Sequence, residues 1–346
     1  MSEPLPPSPI ELHGQAKSAL RDALIWISIA AAFFLVWQLA SALLLILAGF
    51  VFAAGLQGGE RLLGRVWKVR RMIRLVVVVL VFIVALVGFV YFAGTQLTQE
   101  FAQLRSTLAQ QGERLSRLAE EYGVSSKVAE GDPFDAIKAQ LGGSLGRIAS
   151  FIGGAAGALG SLVLIITFGI FVAVDPRLYE RGVEWLTPQD KRASLRDTVE
   201  AMGAMLRRWV AGRVVLMVFE GMLIFIGLSL VGAPLALLLG LVAGLFAFIP
   251  NLGAIASGAL IIAIGFSAGT TTGLWSIGVY LVVQVADNFI NPLIEKRAVD
   301  LAPAVVLAAQ LLFGVLFGIL GVTLADPIVA LVKVALQRRN AEMQGK

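Results

Sequence analysis

Apolar blocks too long for a soluble core recur along this chain. The first, Ala23 to Leu56, runs 34 residues with only Ser28, Gln38 and Ser41 as polar interruptions. Such a stretch reads as membrane-spanning. As one straight helix it would be about 50 Å long, against a hydrocarbon core of about 30 Å. Two short spans meeting near Gln38–Ser41, with Trp37 at the interface, are therefore expected. Further apolar blocks run Leu75–Phe92, Ile148–Val174 and Val214–Val231. Beyond them lie Leu235–Phe248, Ala254–Ala268, Leu274–Ile290 and Leu301–Leu336.

The composition agrees. Of 346 residues, 58% are hydrophobic and only 15% charged, against roughly 25% charged in soluble domains. A soluble enzyme, a disordered chain and a nucleic-acid binder fit poorly. There is no Cys, and the one His, His13, lies in a Pro-rich tail. Thiolate chemistry, a His triad and a His metal site are excluded, and no cofactor is expected. No GxxxxGK[ST] occurs, so no fused ATPase drives transport. The first 20 residues lack the apolar core of a cleaved signal, so the first block is expected to stay in the membrane.

Charge between the blocks sets orientation. Segment 60–74 holds six Lys/Arg against Glu60, and Arg177 to Arg213 holds eight against five acids. Both are assigned to the cytoplasm by the positive-inside rule. Segment 95–150 is nearly balanced, with six basic and seven acidic residues, and is placed outside. Within it Leu97, Phe101, Leu104, Leu108, Leu115, Leu118 and Tyr122 make a heptad seam, for packing on the same chain or on another subunit. Asp132-Pro133 breaks that helix.

The division expected is a tail (1–22), three spans with the basic loop (23–94) and the external insert (95–150). A fourth span (151–174), an amphipathic linker (175–213), a core (214–336) and a tail (337–346) follow. With both termini inside, the crossings must be even in number. The fold class is all-α, a polytopic helical membrane protein of about eight spans with broken or re-entrant segments.

Polar groups inside the apolar blocks are few. Glu220 sits seven residues past Arg213, about 10 Å deeper along a helix. It is either a protonatable group in a solute path or a structural partner, for instance of Arg213. Gln284, Asp287, Asn288 and Asn291 share one helical face. They line a path, or they bond helix to helix, with Asp287 also in reach of Lys296 or Arg297. Pro250, Asn251 and Gly253 mark a helix break. Asp326 and Pro327 mark a second candidate break, as a kink or a re-entrant tip.

Four stretches in order carry a resemblance. They are Ile249-Pro250-Asn251-Leu252-Gly253, Gln284-x-x-x-Asn288-x-x-x-Pro292, Leu301-x-Pro303, and Gly314-x-x-x-Gly318-x-x-Gly321-x-x-x-Ala325-Asp326-Pro327. Together they resemble the autoinducer-2 exporter family of bacterial inner-membrane proteins, over roughly 20–336. Asn251, where an aromatic is common, and Asp326, where a small or apolar residue is common, depart from the pattern. The resemblance implies a secondary transporter exporting a small solute such as a quorum-sensing signal. It also implies coupling to a proton or cation (H+ or Na+) gradient and assembly as a homo-oligomer in the lipid bilayer. An oligomeric pore, or a scaffold acting through the external helix, are the alternatives.

Overall fold

The computed structural model describes residues 9–121, 155–185, 187–298 and 302–344. Among these residues every regular element is a helix: α1 (Pro9–Val66), α2 (Arg71–Glu121), α3 (Ala155–Val174), α4 (Pro176–Trp185), a 3-10 turn (Gln189–Lys191), α5 (Arg192–Val231), α6 (Ala236–Phe246), α7 (Leu252–Ser267), α8 (Thr270–Ala298) and α9 (Pro303–Met343). Five described segments are long and apolar enough to cross a bilayer, or six when the α3–α4 pair, bent by 88°, is taken as one. The chain is an all-α, multi-pass membrane protein. Its outward face is apolar, as lipid contact requires: Leu80, Val84 and Val87 of α2 are all exposed.

The first apolar block is not two spans. It lies within α1, a single continuous helix of 58 residues. Gln38 to Ser41 contains neither Pro nor Gly, and a polar side chain alone does not stop a helix. The third span and the start of the expected insert are likewise one helix, α2, unbroken from Arg71 to Glu121. Positions 122–154, including Asp132-Pro133, lie outside the described residues, as do the side chains of the heptad seam. Asp175-Pro176 ends α3 as expected, and α4 turns away there. Of the linker 175–213, the part from Arg192 continues without a break into the fifth span, since α5 is continuous for 40 residues.

Two hairpins shape the second half. After Gly232, which caps α5 in the left-handed conformation (φ 73°), α6 packs back along α5. The two backbones nearly touch: a Cβ on Gly240 would come 2.7 Å from the Gly221 carbonyl oxygen. The chain breaks over 247–251, and α7 returns, so that Leu239, Ile261 and Ile264 join Ile224 and Leu228 in one cluster. With 11 and 16 residues, neither arm spans a bilayer, at 1.5 Å of rise per residue.

The second hairpin lies inside α9, where Gly318 leaves helical geometry (φ 62°, ψ −143°). Gln310 hydrogen-bonds Asp326, although 16 residues of straight helix would hold them about 24 Å apart. The chain therefore folds back at Gly318. This corrects the expected position of the second break. Asp326 and Pro327 lie within the returning arm, where the helix absorbs the proline.

Candidate functional site

The buried polar groups converge where the hairpins meet α5. Arg213 is 3% exposed and Asp326 4%, and they form an ion pair with Arg213 Nη2 2.5 Å from Asp326 Oδ2. The other carboxylate oxygen, Oδ1, accepts from Gln310 Nε2 at 2.8 Å. Gln310 Oε1 in turn accepts from Asn251 Nδ2 at 2.9 Å. Asn251 is the tip of the first hairpin, at φ 59°, a conformation Asn tolerates better than most residues. One hydrogen-bonded chain thus links α5, both arms of the second hairpin and the tip of the first. An apolar and aromatic floor lies beneath it. The Arg213 guanidinium sits 5.5 Å from the Trp209 ring centroid, and Trp209 meets Phe248 edge-on at 6.0 Å.

A second group lies deeper, between α5 and α8. Glu220 of α5 is buried, and the half-buried Asp287 lies on α8, which packs against α5. On α8, Gln284 lies one helical turn beyond Tyr280, whose hydroxyl donates to the Ala254 carbonyl at 3.1 Å. Among the described residues no cluster of His, Asp or Glu is arranged to hold a metal ion. The arrangement places two carboxylates on packed long helices, and one guanidinium on α5 against the two hairpins; secondary transporters build binding sites beside such broken helices.

The sequence profile of the AI-2E family transporters matches residues 24–340. The chain belongs to the AI-2E transporter family. Among relatives, it is similar to the candidate transport protein YrrI of Bacillus subtilis (strain 168), 32% identical over 49% of each chain. The candidate transport protein MT0215 of Mycobacterium tuberculosis (strain CDC 1551 / Oshkosh) is 34% identical over 42% of this chain and 41% of its own. The candidate permease PerM of Escherichia coli (strain K12) is 26% identical over 51% and 50%. The matched region spans about half the length of these relatives.

Of the expected site residues, the fold brings Glu220, Gln284 and Asp287 of this family member together. Asn288 is exposed on α8, and Asn291, at its end, is half-buried. The Asn291 Oδ1 atom is buried with no hydrogen-bond partner. Pro250 is buried in the break that it was expected to make, and Gly253 is buried in the first turn of α7. The side chains of Lys296 and Arg297 lie outside the described residues. Arg213 pairs with Asp326, not by snorkelling with Glu220. Sequence reasoning missed Gln310 and Tyr280 altogether. A lone amide in an apolar run is a signal that could have flagged Gln310, whereas nothing local distinguishes Tyr280. The GxxxG spacing of Gly240 and Gly244 was also available as a sign of close helix crossing.

Proposed function

We propose that this protein is a secondary-active exporter of a small solute, with Glu220 and Asp287 binding the proton or cation whose gradient drives it. The observation that carries this reading is the pair of like-charged groups held on facing spans. In a low-dielectric region their repulsion is large, and a bound cation relieves it. Release of that cation then biases α5 against α8, and through Arg213 against both hairpins. The basic ends of α1, α2 and α5 face the cytoplasm of a bacterial inner membrane by the positive-inside rule. Self-assembly is carried by the heptad seam, whose positions from Leu97 to Leu118 fall on α2.

The test is flux from proteoliposomes, with and without a pH or sodium gradient, across a small solute panel. Wild type is expected to show saturable, gradient-dependent flux. Glu220→Gln and Asp287→Asn are expected to lose the gradient dependence while remaining monodisperse. Gradient-dependent flux undiminished in both variants overturns the assignment of the coupling site. Flux that neither saturates nor responds to a gradient points to a pore instead.

A further inference from the structure

A second polar site lies apart from the Glu220–Asp287 pair. Where α1 ends, α2 begins and α4 crosses the first turns of α5, the protein encloses a cleft of about 610 Å³. That volume falls in the ordinary range of small-molecule sites, about 300–1,000 Å³. Its walls are unusually charged, with six arginines and four glutamates contributed by four helices.

The charges do not cancel. Arg71 donates to the Ala173 carbonyl at 2.9 Å, and Arg196 pairs with Glu184 at 3.0 Å. Glu60 is held at 2.6 Å by Arg74. What remains on the walls is Arg61, Arg177, Arg181, Arg207 and the still-charged Arg71 against Glu180 and Glu200, a surplus of three positive charges. Arg61 and Arg207 both line this cleft, and the charges of Glu200 and Glu180 as well as that of Arg61 reach Arg207. Like-charged guanidiniums gathered from separate helices around a small-molecule-sized space are stabilised by an anion between them. The planar fork of arginine matches phosphate oxygens bidentately. A phosphate monoester carries a charge of about −1.5 to −2 at neutral pH, which offsets most of the surplus.

The cleft is also sealed from the intramembrane site. Along α5, Trp209 and Val210 intervene between Arg207 and Arg213, and both belong to an apolar cluster with Leu44, Ala48, Val51 and Leu324. An anion in the cleft therefore does not sit in the proposed ion path.

We propose that this arginine-walled cleft is a binding site for a phosphate-bearing ligand, either a soluble phosphate ester or the headgroup of an anionic phospholipid. It stands whether or not the transport reading holds, since its test reads binding alone.

The full chain is placed in nanodiscs of neutral phosphatidylcholine and titrated with glycerol 3-phosphate by calorimetry. In a parallel arm, cardiolipin is included and retained lipid is counted by native mass spectrometry. Saturable binding of glycerol 3-phosphate assigns the site to a soluble ester, and selective retention of cardiolipin assigns it to lipid. In either case Arg61→Gln with Arg207→Gln is expected to weaken binding tenfold or more. Glu200→Gln removes an opposing charge and is expected to tighten it severalfold, a gain that misfolding cannot produce. Binding of neither probe, or binding unmoved by both sets of substitutions, overturns the proposal.

Discussion

Asp326 shows what one residue does in this fold. Its two oxygens take different partners, Arg213 and Gln310, so one carboxylate ties α5 to both arms of the second hairpin. Removing one member of a buried pair leaves the other charge uncompensated, at a cost of about 3–5 kcal/mol. Asp326→Asn is therefore expected to lower the unfolding temperature sharply in detergent. The double variant with Arg213→Gln is expected to lose less than the sum of the two single losses, because the pair acts as a unit. The sequence marked Asp326 as unusual, but as a break. Its partner lies 113 residues away, and no local pattern reports a contact at that range. Gly318 is the converse case. Its backbone angles suit glycine alone, and Gly318→Ala is expected to cost about 1–3 kcal/mol, read by the same thermal scan.

Among the elements, the crossing of α5 and α6 is decided by glycines rather than by large apolar side chains. At Gly240 an added methyl meets the backbone of Gly221, whereas at Gly278 of α8 it meets nothing within 4 Å. The same substitution is thus expected to have opposite signs. Gly240→Ala destabilises, and Gly278→Ala stabilises by about 0.4–1 kcal/mol through the unfolded chain. Comparing unfolding midpoints of the two variants checks this directly. Spans such as α2 and the far half of α5 were legible because lipid imposes a long unbroken apolar run. The break at Pro250 was legible because proline removes a donor and a helical geometry at once. The continuity of α1 was not, since hydrophobic length suggests where a helix must turn but only Pro, Gly or capping chemistry makes it turn.

At the scale of the whole molecule, the basic and apolar ends of the bundle are far apart along the helices, and orientation becomes measurable. The chain contains no cysteine, so single cysteines can be placed at will. Arg65, near the end of α1, and Thr271, at the start of α8, are both exposed. In intact cells a membrane-impermeant maleimide is expected to label Thr271→Cys and to miss Arg65→Cys, and inverted vesicles should reverse the pattern. The charge between blocks supported that orientation without any structure. The meeting of Arg213, Glu220, Asp287 and Asp326 was beyond it, because four residues on three helices come together only once the hairpins have folded.

The link between Arg213 and Asp326 also imposes a timetable on synthesis. The guanidinium emerges 113 residues before its carboxylate, a wait of about 6–20 s at ordinary elongation rates of about 5–20 residues per second. Until then the Arg213 charge lacks its Asp326 counter-ion, and a charge at membrane depth is costly. Only when the returning arm of α9 arrives can α5 settle, so the last helix to be translated completes the seating of one made long before it.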